Sequence, residues 1–128
     1  MVLVDTSVWI HFFYNKAPAA AEMDHLLASE LVVSHDLIYG ELMIGETGGG
    51  RSKFLTYIDS LPKATSLPHD EVVKFVRDHS LQPQGAGWID IHLLVSAVTN
   101  RMQFWTVDPR LQALAQHFKV AYTFPSQH

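Results

Sequence analysis

The stretch MVLVDTSVWI (residues 1–10) begins with an apolar run typical of a buried strand, and the run ends on an acid. We predict a strand over residues 2–4, followed directly by Asp5. An ionised carboxylate is costly to bury unless it is paired or bound to a metal. Asp5 therefore either caps the helical segment that follows, with help from Thr6 and Ser7, or serves as a ligand at the end of a strand. The stretch alone does not separate these two interpretations.

Short β-rich runs alternate with longer helical segments along the rest of the chain. Further strands are predicted over residues 31–34 and 103–107, with weaker ones over 64–67 and 120–122. Helices are predicted over residues 7–14 (helix or turn), 18–29, 35–46, 52–61, 68–81, 89–101 and 109–118, with a break at the glycines 48–50 and a loop over 82–87. This alternation predicts an α/β fold, a three-layer α/β/α sandwich with a central parallel sheet of four or five strands, in a single domain over residues 1–128. Ligands usually bind at the carboxyl ends of the strands in such sheets.

The composition excludes several classes of protein. No run approaches the roughly 20 apolar residues of a membrane span, and no basic flank precedes the first apolar run as in a signal peptide. The absence of cysteine excludes disulfides and thiolate metal sites, and it fits a cytoplasmic protein. The net charge of −4 does not favour nucleic-acid binding by charge alone. A polyanionic ligand would therefore need a metal ion or a local basic patch.

Two further acids, Asp108 and Glu41, differ in how well a structural role explains them. Asp108 follows a predicted strand as Asp5 does, but Asp before Pro109 is also a standard helix start, so a cap is favoured when it is taken alone. Glu41 fits a solvated helix face badly. Its neighbours three and four residues away on the predicted helix are Leu37, Ile38, Ile44 and Gly45. This spacing turns the Glu41 carboxylate towards the apolar side.

Asp90 repeats this pattern after the Gly85–Gly87 turn. Its neighbours on the predicted helix are Leu93, Leu94 and Ala97, whereas a polar stripe of His92, Ser96 and Thr99 lies on the opposite side. A cap of the first helical turn is the structural alternative for Asp90.

Four carboxylates in one interior region repel one another unless a cation stabilises them. Oxygen ligands suit Mg²⁺ or Mn²⁺ better than zinc, and the eight histidines are scattered without a paired metal-ligand spacing. Such an ion polarises a phosphoryl oxygen and activates a water for in-line displacement. The pattern therefore predicts a metal site for phosphodiester chemistry at the edge of the sheet.

Four stretches carry a resemblance to a known family: LVDTSVWI (3–10), IYGELMIG (38–45), GAGWIDIHLLVSA (85–97) and FWTVDPRL (104–111). In order, spacing and flanking residues the chain resembles PIN-domain proteins, and among them the VapC-type ribonuclease toxins of type II toxin–antitoxin pairs. The resemblance implies Mg²⁺- or Mn²⁺-dependent RNA cleavage by Asp5, Glu41, Asp90 and Asp108. It also implies that the hydroxyls of Ser7 and Thr106 support the acids or the metal waters.

The same resemblance implies a homodimer and a VapB-like antitoxin whose tail covers the site. One departure is His11, since many relatives carry an acid where this chain reads WIHFF. A histidine there alters substrate or antitoxin contacts, or lies on the helix surface without consequence.

Arg110, Arg51 and Lys53 are candidate contacts for RNA phosphates, although a solvated surface role is the default for isolated basic residues. Attack by water rather than by the ribose 2′-hydroxyl predicts a 5′-phosphate product and no 2′,3′-cyclic phosphate. The alternative function is a non-catalytic PIN-like module that binds protein or RNA.

Overall fold

The computed structural model describes residues 1–45, 51–81 and 85–125, without the side chains of Arg51 and Ser52. The predicted break at 48–50 and part of the predicted loop, 82–84, lie outside the described residues. The elements in chain order are β1 (Val2–Val4), α1 (Thr6–Phe13), α2 (Ala19–Ala28), β2 (Val32–Val33), α3 (Asp36–Ile44), α4 (Arg51–Ser60), α5 (His69–Asp78), α6 (Trp88–Thr99), β3 (Gln103–Trp105) and α7 (Pro109–His117).

The sheet is parallel, with β1 in the centre between β2 and β3. Val2 pairs with Val32 on one side and with Gln103 on the other. The three residues of β1 are at most 2% exposed. Because successive side chains of a strand point to opposite faces, both faces of β1 are covered. The α/β class and the parallel sheet are confirmed.

The predicted number of four or five strands is wrong, because the sheet in the described residues has three. The two weaker segments contribute only isolated bridges, Ser34 with Lys63 and Phe104 with Ala121. Backbone donors explain why neither bridge extends. Pro62 accepts from the Ser34 N–H but has no N–H of its own to continue the ladder. The Val120 N–H donates to the Ala115 oxygen at the end of α7, at 2.9 Å, instead of to the sheet.

The helices cover the sheet with apolar side chains from nearly every element. Helix α1 packs on α2 and α3, whereas α6 packs on α5, α7 and β3. The largest fully buried side chains are Trp9, Trp105, Phe104, Leu3, Met23, Leu26, Ile38, Leu42, Ile58, Leu93, Leu94 and Leu111. In the described part of the chain, no helix combines the length and the apolar character needed to cross a membrane.

Candidate active site

The four predicted acids lie on, or directly before, four different helices. Asp5 is the residue between β1 and α1, and Asp108 is the residue immediately before α7. Asp90 is the third residue of α6, and Glu41 lies within α3. The chain therefore brings residues far apart in sequence to the edge of the sheet where ligands of parallel α/β proteins bind.

Asp5 is buried, with 4% of its surface exposed, and two hydroxyls hold its carboxylate. The Ser7 hydroxyl donates to Asp5 Oδ2 at 2.6 Å, and the Thr106 hydroxyl donates to the same oxygen at 2.9 Å. Asp5 occupies the N-cap position of α1, but its side chain makes no capping hydrogen bond. Within the described residues Oδ1 accepts no hydrogen bond, so this oxygen is the one available to a ligand.

Ser7 and Thr106 also connect the ends of β1 and β3. The Thr106 hydroxyl accepts from the Asp108 N–H at 3.1 Å, and the Ser7 hydroxyl accepts from the Val107 N–H at 3.2 Å. The two hydroxyl oxygens lie 3.3 Å apart. Because Thr106 is 3% exposed, its hydroxyl couples the position of Asp5 to the backbone of Asp108 in a site with little water.

Glu41 and Asp90 are the two acids whose ionisation the site disfavours. Burial raises the pKa of Glu41, and the charges of Asp5 and Asp90 raise it further, against a hydrogen bond from the Thr6 hydroxyl to Oε1 at 2.7 Å. Burial likewise raises the pKa of Asp90, with contributions from the charges of Asp5 and Asp108. The charge of Asp5 acts on both groups, so Glu41 and Asp90 lie in the field of the neighbouring acids.

Asp108 and Asp90 accept hydrogen bonds from nearby backbone N–H groups, as the helix-cap interpretation of each predicted. Asp108 Oδ1 accepts from the Arg110 N–H at 2.9 Å and caps α7, with Pro109 as the first helical residue. Asp90 Oδ2 accepts from the Gly87 N–H at 3.3 Å at the start of α6. Each bond engages one carboxylate oxygen, so capping leaves the other oxygen for a ligand.

The apolar-face argument holds for Asp90 and only partly for Glu41. Leu93, Leu94 and Ala97 are fully buried, but Ile44, one of the apolar neighbours of Glu41, is 82% exposed. Glu41 lies at the margin of the core face of α3, half-buried. In the polar stripe opposite to Asp90, Ser96 is fully buried, and its hydroxyl lies 3.2 Å from the His35 ring nitrogen Nε2.

The predicted RNA-contact residues differ in their positions. Arg110 is exposed, and its Nη1 donates to the Gly85 oxygen at 3.3 Å, next to the turn that precedes Asp90. Lys53 is exposed on α4, and the side chain of Arg51 lies outside the described residues. Among the described side chains, no lysine or arginine forms an ion pair with any of the four acids.

The donor set fits a hard divalent cation in chemistry, although the ligands are not prearranged. Four carboxylates that repel one another without an ion pair are the groups that Mg²⁺ or Mn²⁺ neutralises. Across residues 1–45, 51–81 and 85–125, however, no three carboxylate or imidazole side chains are placed as ligands of one ion. The hydrogen bonds to Thr6, Gly87 and Arg110 hold three of the acids in their present rotamers.

Sequence reasoning gave Thr6 only a helping role in a helix cap, and it missed both the contact of Thr6 with Glu41 and the role of His35. The Thr6 hydroxyl, directly after Asp5, contacts Glu41, and its position in the DTS triplet was the available signal. His35 is fully buried, and its Nδ1 accepts from the Leu37 N–H at 3.0 Å, which places the proton on Nε2 towards Ser96. No pattern in the sequence marks a histidine as a buried helix cap.

Comparison with known proteins identifies the family. No protein-family model matches the chain. Two relatives are similar, both named Ribonuclease VapC32, from Mycobacterium tuberculosis strains CDC 1551 / Oshkosh and ATCC 25618 / H37Rv. Each is 34% identical over 122 residues, which span 94% of this chain and 95% of the relative. With this identity over nearly the whole length of both proteins, the chain belongs to the VapC family of PIN-domain ribonucleases.

Proposed function

We propose that this protein is a metal-dependent endoribonuclease and the toxin of a type II toxin–antitoxin pair. The observation that carries the proposal is the gathering of four acids near the carboxyl ends of the strands, where burial and neighbouring charges raise the pKa of Glu41 and of Asp90 and no described basic side chain forms an ion pair with them. A site of this kind is matched to a divalent cation and, through it, to a phosphodiester. Kinship with proteins named as ribonucleases supports RNA as the substrate.

In this proposal Asp5, Glu41, Asp90 and Asp108 hold Mg²⁺ or Mn²⁺. When bound, the ion polarises a phosphoryl oxygen and lowers the pKa of a coordinated water. Ser7 and Thr106 fix Asp5 through Oδ2 and leave Oδ1 for the ligand role.

One of these four carboxylates also accepts the proton of the attacking water in this proposal. Attack by water on the phosphorus, with departure of the 3′ oxygen, gives 5′-phosphate and 3′-hydroxyl ends.

The proposal extends to the partners and the setting of the protein. One PIN-like domain over residues 1–128, an α/β/α sandwich, acts as a homodimer in the cytoplasm and is silenced by a VapB-like antitoxin. Arg110, Arg51 and Lys53 are the proposed contacts for RNA phosphates.

A second candidate, a PIN-like module that binds protein or RNA without catalysis, is favoured by one observation. Within the described residues, no three acid or histidine side chains are placed together as metal ligands. The two functions differ in whether RNA is cut when Mn²⁺ is supplied.

The deciding experiment is cleavage of a total-RNA pool by the purified protein with Mn²⁺, beside chelator-treated protein and the Asp90→Asn variant. Asparagine retains an oxygen that accepts from the Gly87 N–H, so the start of α6 is preserved. The matched control is Asp70→Asn, which changes an exposed acid in the first turn of α5. We expect discrete 5′-phosphate cuts from wild type and Asp70→Asn only. Cleavage that survives in both chelator and Asp90→Asn would exclude the proposed mechanism, and folded protein that cuts no RNA pool would favour the binding module.

A further inference from the structure

A cavity of about 200 Å³ lies beside the acids, between α1 and α7. His11 and Gln112 line it from the two helices, and Thr106 lines it at the end of β3. The side chains of Trp105 and Phe124, which are at most 7% exposed and pack on each other, close its apolar side. This volume is below the roughly 300 Å³ at which pockets for drug-sized ligands begin, so the cavity has room for one small ring system.

The position of the cavity relates it directly to the acids. Its walls come from the helices that begin after Asp5 and Asp108, and His11 and Gln112 lie one to two turns further along them, a turn being about 5.4 Å. Thr106 belongs to both places, because it lines the cavity and its hydroxyl donates to Asp5. A chain whose phosphodiester lies at the acids therefore has a neighbouring group within reach of this cavity.

Two polar side chains of the cavity, His11 and Gln112, are free to bind a ligand. Neither the His11 imidazole nor the Gln112 amide makes a hydrogen bond with any described residue. Burial, together with the charge of Lys16, lowers the pKa of His11, so its ring is neutral at pH 7 and offers one donor and one acceptor. The Gln112 amide offers donors and an acceptor on one edge. A small cavity with an apolar lining and two unpaired hydrogen-bonding groups matches the size and the polar edge of a nucleobase.

We propose that this cavity binds one unpaired nucleobase of the RNA next to the cleaved phosphodiester, and that Gln112 reads the edge of that base. The inference rests on the proposed function for its RNA substrate. A glutamine amide pairs in bidentate fashion with adenine, so adenine is the expected base. A larger cavity of about 360 Å³ beside Leu27, Val32 and Tyr57 lies at the start of β2, away from the strand ends where the acids gather.

A nucleoside titration tests the cavity without requiring catalysis. Adenosine lacks a phosphate, so in chelator its binding does not depend on the acids or a metal. Titration followed by NMR should give saturable shifts at His11, at the Gln112 side-chain amide and at the Trp105 indole, and cytidine should bind more weakly. Gln112→Leu should weaken adenosine binding about tenfold, whereas Gln116→Leu, an exposed change one turn along α7, should leave it unchanged. An absence of saturable shifts at His11 and Gln112 would overturn the proposal.

A cleavage experiment tests whether the cavity contributes to specificity. A randomised RNA library cut by wild type with Mn²⁺ should show a preference for adenine at one position beside the cut. Gln112→Leu should lose that preference, and Gln116→Leu should keep both the preference and the overall rate. An unchanged preference in Gln112→Leu would overturn the role of this residue. If no variant cuts RNA, the proposed function is wrong, and the adenosine titration alone decides whether the cavity binds a base.

Discussion

Replacing Thr106 with valine removes the hydroxyl that links Asp5 to the backbone of Asp108 and changes the side-chain volume little. The lost bond to the Asp5 carboxylate, 2.9 Å long, belongs to the class that contributes roughly 1.5–3 kcal/mol when one partner is charged. The Asp108 N–H loses its acceptor as well. Because Thr106 is 3% exposed, water replaces the hydroxyl poorly, while the extra buried methyl offsets part of the loss. We expect Thr106→Val to lower the free energy of unfolding by about 2 kcal/mol.

Urea unfolding in chelator, followed by tryptophan fluorescence, measures this change. For a small domain, about 2 kcal/mol moves the midpoint by roughly 1 M urea. Thr106→Ser keeps the hydroxyl and loses only a methyl group, so it should cost about 1 kcal/mol. Thr99→Val is the matched control, because the exposed Thr99 hydroxyl donates only within its own helix, to the Val95 oxygen among others. Its free energy of unfolding should stay within about 0.5 kcal/mol of that of the wild type. A larger loss for Thr106→Ser than for Thr106→Val would refute the reasoning, because packing rather than hydrogen bonding would then dominate.

Three other changes have defined outcomes. Because the pKa of Glu41 is raised in the folded state, ionisation of Glu41 destabilises the fold as pH rises through that pKa. Glu41→Gln, which cannot ionise, should therefore raise the free energy of unfolding in chelator at pH 7 by at most about 1 kcal/mol. Urea titrations should show that this gain vanishes below about pH 4, where the carboxyl group is protonated in both states. Gly85→Ala should lower the free energy of unfolding by about 1–2 kcal/mol, because Gly85 has φ +83° and a Cβ would collide with the Arg110 guanidinium. Truncating Arg110 in the same protein should recover only the part of this loss that the collision causes. Burial and a hydrogen bond to Glu22 raise the pKa of Tyr122 to about 12. In an alkaline titration followed by tyrosinate absorbance, Tyr122→Phe should therefore lack the ionisation near pH 12. Loss of the hydrogen bond should lower the free energy of unfolding by about 1 kcal/mol.

The period of the sequence was sufficient to predict the helices and the three paired strands. Helix and strand periods are local properties, and the apolar runs at Val2–Val4 and Gln103–Trp105 carry them clearly. The sequence predicted two outer strands where the structure has only isolated bridges, because the length of a strand depends on hydrogen-bond partners elsewhere in the chain. The Val120 N–H is committed to Ala115, and Pro62 has no N–H to donate, a defect that was visible in the sequence but acquires meaning only once its partner strand is known.

The candidate acids came from two kinds of signal with different success. Position after a strand predicted Asp5 and Asp108 near the same sheet edge, because parallel strands share their carboxyl ends. Helix spacing selected Glu41 on an apolar face that is in fact partly solvated, as the exposure of Ile44 shows. Spacing placed Ser96 in a polar stripe, but a helical wheel does not reveal that His35 covers this side and buries the Ser96 hydroxyl. Capping and ligand roles were treated as alternatives, yet one carboxylate has oxygens enough for both.

The fold itself offsets part of the repulsion at this site. Asp5, Asp90 and Asp108 each lie at the start of a helix, where the helix dipole favours negative charge by roughly 0.3–1 kcal/mol. Glu41 lies within α3 and has instead the single hydrogen bond from Thr6. The charge of Asp5 contributes to the raised pKa of both Glu41 and Asp90. Asp5 is also the acid whose carboxylate accepts hydrogen bonds from two hydroxyl groups. Burial and the repulsion that remains raise the pKa of Glu41 and of Asp90, and a divalent cation would offset both effects on binding. Cation binding and the loss of protons from these two acids should therefore be linked, so that metal affinity rises with pH.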